Sequence, residues 1–297
     1  MRVFVTGATG FIGSYVVNAL LQNGHEVVGV YRDENRIPQW EGSVKITMVK
    51  GDLADVRALR PHLQGCHACV HIALGWGETP TTMAQNDTLA SLTLMEIAVE
   101  EGVEQFITTS STAAMGQMRA IMDETVRNIP LDLYGATKAA TESFMLGYRT
   151  TSMRRNIVRP GYTFGNPVAP QGRSQPDQRF QKIARAALAG EDIELTKHDG
   201  TQFAWAGDLA QVYLALVEGN LNEEVFLGLS AEWVSWQRIA QEMVELTGSR
   251  SKIKLMDLGW GAEPMLFSVD KLRTKLGITY QAYPQLSEHI KWVLKNA

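Results

Sequence analysis

Residues Val3 to Gly13 read V-F-V-T-G-A-T-G-F-I-G, and no other stretch limits so strongly what this chain can fold into. An apolar run begins almost at the first residue, breaks on glycines, and resumes as an amphipathic pattern from about Phe11 to Leu21. Gly7, Gly10 and Gly13 stand three apart. Glycines in such a turn let backbone N–H groups approach a pyrophosphate and let the helix pack on its strand. The positive end of the helix dipole then faces the phosphates. Glycines also make ordinary turns, but strand, turn and helix in this order favour a dinucleotide site.

The 297 residues suit one large domain or a main domain with a smaller companion. A 45% hydrophobic and 20% charged composition is that of a globular chain. The net charge of −4 gives no pointer to a nucleic-acid partner. No apolar run is long enough to span a bilayer, so no membrane partner is expected. Met1 is read as leading straight into the first strand, so that no signal peptide and a cytoplasmic enzyme are expected. Cys66 and Cys69 form a C-x-x-C. A redox pair belongs at a helix N-terminus, whereas here Cys66 falls in a turn and Cys69 opens an apolar run. They read as a turn residue and a buried strand residue. A zinc site would need two more ligands nearby, so no metal site is expected.

Strand-like and helix-like segments alternate through the first half. Strands are predicted at Arg2–Val5, Glu26–Tyr31, Lys45–Lys50, His67–Ala73, Gln105–Thr109 and Arg155–Arg159. Helices are predicted near Phe11–Gln22, Ala54–Leu63, Met83–Glu101 and Tyr134–Arg149. In the third of these, Leu89, Leu92, Met95 and Val99 recur at helical spacing and predict a core-facing stripe. Such alternation implies an α/β fold with a Rossmann-type, doubly wound parallel sheet. Pro160 to Pro176 is rich in Gly and Pro and reads as a long loop. Helices follow near Asp177–Ala189, Asp208–Glu218, Ser235–Leu246, Asp270–Leu276 and Gln285–Lys295, with short strands at Glu224–Leu227 and Lys252–Leu255. The expected division is a dinucleotide-binding domain over residues 1–165. A smaller mixed lobe for substrate spans 166–297, with some segments returning to the main domain.

A second motif is Tyr134-Gly-Ala-Thr-Lys138. Helix residues four apart share a face. A lysine ammonium beside a phenol favours the phenolate, which makes a tyrosine usable as a general acid/base near neutral pH. Alone, the spacing is common on solvated helices. Ser111 lies upstream, just past a predicted strand, where its hydroxyl can meet a substrate oxygen or merely cap a turn.

Together these motifs resemble the extended short-chain dehydrogenase/reductase superfamily, in its NAD-dependent epimerase/dehydratase family. The resemblance runs through T-G-A-T-G-F-I-G at Thr6–Gly13, G-D-L at Gly51–Leu53 and H-I-A-L at His71–Leu74. It continues through T-S-S-T-A-A-M-G at Thr109–Gly116, Y-G-A-T-K at Tyr134–Lys138, R-P-G-Y-T-F-G at Arg159–Gly165 and G-D-L-A at Gly207–Ala210. It implies Tyr134 as catalytic acid/base, Lys138 holding the nicotinamide ribose and tuning Tyr134, and Ser111 hydrogen-bonding the reacting oxygen. It also implies that Gly7, Thr9, Gly10, Phe11, Ile12 and Gly13 cradle the dinucleotide. Asp52 and Leu53 would lie against the adenine, Ala73 and Leu74 would back the cofactor, and Pro160 would sit near the nicotinamide. Thr112 is placed with the substrate residues, and His71 has a structural role in preference to a catalytic one. Members of this family often dimerise through the Tyr/Lys helix and the helix before it, so a homodimer is expected by resemblance.

The cofactor and reaction follow from departures. An acid at the end of the second strand accepts hydrogen bonds from the NAD ribose. Here Tyr31 and Arg32 occupy that place. Arg32, with Arg36, can grip a 2′-phosphate through forked hydrogen bonds, which favours NADP over NAD. That Arg32 is only a surface loop residue stays open. Sugar dehydratases of the family carry an Asp-Glu pair after the catalytic Ser/Thr, whereas Thr112-Ala113 follow Ser111 here. Tyr162 replaces an Asn usual in nucleotide-sugar epimerases, and Thr201 stands where they carry an Arg for the diphosphate. Arg173 or Arg179 can substitute for that charge. Trp76, Tyr162 and Trp205 can line a pocket, with core packing an equal role for Trp205. The favoured reading is an oxidoreductase acting on a carbonyl/alcohol pair of a small-molecule substrate. A nucleotide-sugar epimerase using the same tyrosine is the alternative, and a non-catalytic cofactor sensor a third.

Overall fold

The computed structural model describes residues 1–40, 45–170 and 172–297. Gln171, in the Gly/Pro-rich stretch, lies outside the described residues. Seven strands form one parallel sheet: β1 (Arg2–Thr6), β2 (Glu26–Tyr31), β3 (Ile46–Lys50), β4 (Ala68–His71), β5 (Gln105–Thr109), β6 (Arg154–Pro160) and β10 (Glu224–Gly228). Their order across the sheet is β10-β6-β5-β4-β1-β2-β3. The order reverses at β1, whose other neighbour, β4, is reached by a crossover from β3, and α/β ligands bind at such switch points beyond the strand ends.

The central strand β1 is apolar on both faces because helices cover both. Val3 and Val5 point to one side and Phe4 to the other, following the two-residue repeat of a strand. Val3 and Val5 pack with Val16, Leu20 and Leu216 under α1 (Phe11–Gln22) and α7 (Ala206–Glu218). Phe4 packs with Leu94, Met95, Phe106, Met145 and Ile157 under the opposite helices, α4 (Ala90–Glu100) and α5 (Leu133–Gly147). Cys66 and Cys69 are both free and buried, Cys69 inside β4. Burial raises both thiols above the ordinary range, which suits the structural reading and not a reactive one.

Two helical predictions change. Residues 54–63 are not one helix: Leu53–Leu59 winds as a 3₁₀ segment with a kink at Asp55, and only Arg60–Leu63 (α2) is α-helical. The helix expected from Met83 starts earlier, at Pro80–Met83 (α3), where Thr79 and Thr82 form a reciprocal cap. It then widens into a π-helical turn over Ala84–Leu89 before α4. The predicted stripe holds at Leu92, Met95 and Val99, which pack on the core, and fails at its first member. Leu89 is 58% exposed, while Met83, Asp87, Ser91, Leu94 and Met95 face inward. The reason is polar: Asp87 and Ser91 are held inside by hydrogen bonds to Lys138 and His71, and Leu89 turns out as a consequence.

The smaller lobe contains the strand expected at Lys252–Leu255 and four that periodicity did not reveal. A three-stranded sheet joins β7 (Tyr162–Phe164), β9 (Gly200–Trp205) and β11 (Trp233–Ser235), and β8 (Ile193–Thr196) pairs with β12 (Ile253–Met256). Three helices, α6 (Arg179–Ala189), α8 (Trp236–Thr247) and α9 (Tyr283–Asn296), close around Phe180, Phe203, Trp236, Ile239 and Ile290. α7 and β10 return to the main sheet. No helix among the described residues is long and apolar enough to cross a membrane.

α5 is fastened to the sheet by charge as well as by packing. Arg159 on β6 donates two hydrogen bonds to Glu142 on α5, Nε to Oε1 at 2.8 Å and Nη2 to Oε2 at 2.6 Å, with both side chains buried. Asn128 bridges the two, donating to Glu142 and accepting from Arg159. Glu142→Ala should strand a buried guanidinium and cost about 3–5 kcal/mol of stability, read as a lowered urea midpoint. An unchanged midpoint would mean that apolar packing alone seats the helix.

Candidate active site

The glycine turn has the form a dinucleotide needs. Gly7 lies at φ +67°, and a Cβ there would come within 2.9 Å of the Ala73 amide nitrogen. A Cβ on Gly13 would stand 2.0 Å from the Gly7 carbonyl oxygen, inside any allowed contact. α1 thus rests directly on the turn. Gly10 is its N-cap and contributes no side-chain cap. The first-turn N–H groups of an α-helix have no partner within the helix, so those at Phe11, Ile12 and Gly13 suit an anion. Thr9, Phe11 and Ile12 are half-buried around this end. Ala73 and Leu74 follow β4 directly across from Gly7, and the N–H groups of Ile72 and Ala73 donate to Thr6 Oγ1 at 3.1 and 3.2 Å. The residues present therefore fit a bound nicotinamide dinucleotide.

His71 completes that floor. One ring nitrogen meets Thr6 Oγ1 at 2.7 Å and the other meets Ser91 Oγ at 2.8 Å. The ring is fully buried, and burial first, then the Lys138 charge, lowers its pKa from 6.5 to about 3. It is a neutral, fully partnered group, as its structural reading anticipates.

The second half of the site stands at the carboxyl ends of β5 and β6. Ser111 caps a short 3₁₀ turn, Thr112–Ala114, and its Oγ accepts from the Ala113 N–H at 3.1 Å. The hydroxyl proton remains available to another acceptor. α5 begins beside it. Asp132 caps that helix by accepting from the Gly135 N–H at 2.7 Å. A Cβ on Gly135 would lie 2.3 Å from the Ala113 carbonyl oxygen. This backbone contact is what brings the Tyr134 end of α5 against the Ser111–Ala114 turn. One helical turn later the Lys138 Nζ stands 5.9 Å from the centre of the Tyr134 ring. The ammonium is buried and paired with Asp87, 3.1 Å from its Oδ2. Asp87 was absent from the sequence reading. Its only signal there was a charged residue inside an otherwise amphipathic helix.

A family model described as the NAD dependent epimerase/dehydratase family matches residues 3–227, from the first strand to β10. The chain belongs to that family. A UDP-glucose 4-epimerase of Azospirillum brasilense is 26% identical over 308 residues, covering 93% of this chain and 86% of the relative. A 3-beta-hydroxysteroid dehydrogenase of Mycolicibacterium neoaurum is 29% identical over 204 residues, covering 64% and 52%. Among solved structures, MoeE5 in complex with UDP-glucuronic acid and NAD superposes with a TM-score of 0.79 at 26% identity, with both chains fully covered. Family members of this kind are enzymes of the extended short-chain dehydrogenase/reductase type, and this chain is one of them.

Within the family fold the remaining expected positions fall into two groups. Arg32 follows β2, is 73% exposed, and lies 3.8 Å from the Asp52 carboxylate, so these two are neighbours. Leu53 is half-buried beside Asp52, whose side chain caps Ala54. Pro160 is buried as the last residue of β6. Tyr162 is less free than a pocket residue need be. Its hydroxyl donates to Asp177 at 2.7 Å and its ring packs on Phe203 and Trp236 in the lobe core. Burial, then Asp177, pushes this phenol far above its ordinary range. Trp76 stands on the surface, 58% exposed, with its indole N–H on Glu78. Trp205 packs edge-on against Tyr15. Arg179 is committed to Asp199 at 2.9 Å and stacks over Trp236.

Two outcomes follow. Gly135→Ala should push α5 off the Ser111 turn and lower kcat on the order of 100-fold in steady-state kinetics; normal turnover would show that this contact is dispensable. His71 binds its proton far more weakly when folded than in the unfolded chain, where the pKa is near 6.5. Its contribution is thus present above about pH 6.5 and lost as pH falls toward about 3. Unfolding free energies at pH 7 and pH 5 should differ in that sense, and His71→Asn should flatten the difference.

Proposed function

We propose that this protein is an NAD(P)-dependent oxidoreductase that transfers hydride between the nicotinamide and a carbonyl/alcohol carbon of a small molecule. The observation that carries the reading is the Gly135–Ala113 contact, which puts the Tyr134 end of α5 beside the Ser111 turn at the open end of the parallel sheet. When bound, the nicotinamide supplies the hydride acceptor or donor. Tyr134 takes the substrate hydroxyl proton on oxidation and returns it on reduction. A neighbouring ammonium favours phenolate over phenol, and Lys138 fills that role while reaching toward the ribose. Ser111 donates its remaining proton to the substrate oxygen and fixes its position. Trp76 and Thr112 are assigned to the substrate side, with Tyr162 shaping the pocket wall from the lobe core.

Charge favours the reductase reading over a nucleotide-sugar one. Thr201 offers no cation to a diphosphate, and of the two arginines that could replace it the Arg179 guanidinium is engaged by Asp199, which leaves the exposed Arg173. The epimerase alternative is favoured by the similarity to a UDP-glucose 4-epimerase over 93% of this chain. Net cofactor consumption with a carbonyl panel supports the first, and isomerised sugar nucleotide without net consumption supports the second. For the cofactor, the exposed Arg32 at the end of β2 supports NADP, although the MoeE5 structure holds NAD. The enzyme is further taken to be cytoplasmic and homodimeric, with the exposed Leu89 and Phe144 on the helices of the expected interface supporting the dimer.

Tyr134→Phe should keep cofactor binding and lose roughly 100-fold or more in kcat, measured by steady-state kinetics. Full activity in that variant removes the acid/base assignment. Arg32→Ala should weaken NADP binding about tenfold while leaving NAD binding close to normal, and equal weakening of both would remove the argument for NADP.

A further inference from the structure

The Tyr134–Lys138 pair is not electrically alone. Asp87, fully buried, places Oδ2 at 3.1 Å and Oδ1 at 3.4 Å from the Lys138 Nζ. Oδ1 also accepts the Gly75 N–H at 3.1 Å. A Cβ on Gly75 would stand 1.8 Å from the Asn86 carbonyl oxygen, so the loop after β4 lies directly on the π-helical turn. That wide turn carries Asp87 to the inside, and no straight α-helical repeat of the apolar residues would have put a charge there.

The other titratable groups facing this pair are His71 from β4 and Tyr213 from α7. His71 is neutral at physiological pH, with its pKa lowered by burial to about 3. Tyr213, fully buried and bonded to Thr109 Oγ1 at 2.7 Å, has its phenol pushed upward by burial. It too is neutral. Lys138 and Asp87 are thus the charged members of this buried group.

We propose that Asp87 is a positioning and charge-setting residue for the reaction: its carboxylate fixes Lys138 beside Tyr134 and offsets part of the ammonium field that the phenol feels. The proposal rests on the reading of Tyr134 as acid/base. An amide oxygen at position 87 would still accept the Gly75 N–H and lie within reach of the ammonium, with an NH2 group in place of the Oδ2 that now faces Nζ at 3.1 Å. The negative charge would be gone. The carboxylate also couples the loop beneath the cofactor, through Gly75, to the lysine on α5. Movement of either is felt by the other.

The test is an ultraviolet absorbance titration of tyrosinate, without cofactor or substrate, on the wild-type protein and on Asp87→Asn. In each, the Tyr134 transition is isolated by subtracting the same protein carrying Tyr134→Phe. The midpoint should move down by about one pH unit in D87N, and the pH–rate profile should move the same way. Coincident midpoints overturn the proposal. Asp87→Ser, expected to shift in the same direction, decides the matter if D87N does not fold. Loss of the acid/base reading would show instead as full turnover in Tyr134→Phe, a separate result.

Discussion

α5 carries the phenol and ammonium of the proposed site, and its seat is fixed from two ends. At its start, Gly135 lets backbone touch backbone at Ala113. Near its middle, the Glu142 carboxylate is gripped by Arg159 on β6. The first contact is steric and tolerates no side chain. The second is electrostatic and buried, so breaking it leaves a charge in a low-dielectric interior. Between these points Lys138 has little freedom, since Asp87 holds it from the neighbouring π-helical turn. Most of the site geometry is thus a consequence of where one helix lies on the sheet.

The same logic governs the cofactor floor. Thr6, His71 and Ser91 form a closed chain of hydrogen bonds from the end of β1 to α4. Thr6 also accepts two N–H groups of the loop that backs the cofactor. A neutral histidine with both nitrogens occupied costs little to bury. It fixes that loop without adding a charge near the phosphates.

The parallel sheet was legible because its strands are apolar runs separated by amphipathic helices. Val3–Val5 and Phe106–Ile107 need no partner to announce burial. Apart from Ile253–Met256, the lobe strands were not legible, for the opposite reason. Tyr162–Phe164 and Trp233–Ser235 are three residues each, and Gly200–Trp205 mixes polar and apolar positions. Only pairing with distant segments makes them strands. At the site, Tyr134, Lys138, Ser111 and the glycines could be named from local spacing. Asp87 could not, because a π-helical turn breaks the 3.6-residue count on which such reasoning depends. Arg159 was visible only as part of a family block, whereas the structure makes it the anchor of α5. Tyr162, read as a pocket residue, has a ring that belongs to the lobe core.

The return of β10 to the main sheet has a consequence for how the molecule is made. β6 and β10 are in parallel register, Asn156 opposite Glu224, with the whole first part of the smaller lobe between them. Until that intervening chain has emerged, the outer margin of β6 presents unsatisfied amide and carbonyl groups. The Arg155 N–H, donating to Asn222 Oδ1, and the Glu224 N–H, donating to Asn156 Oδ1, then close it across 67 and 68 positions. A ribosome releasing this polypeptide therefore holds an unfinished, adhesive border for several seconds at ordinary elongation speeds. Pauses or truncations inside residues 165–223 would expose nascent chains to mispairing far more than equivalent events after Gly228.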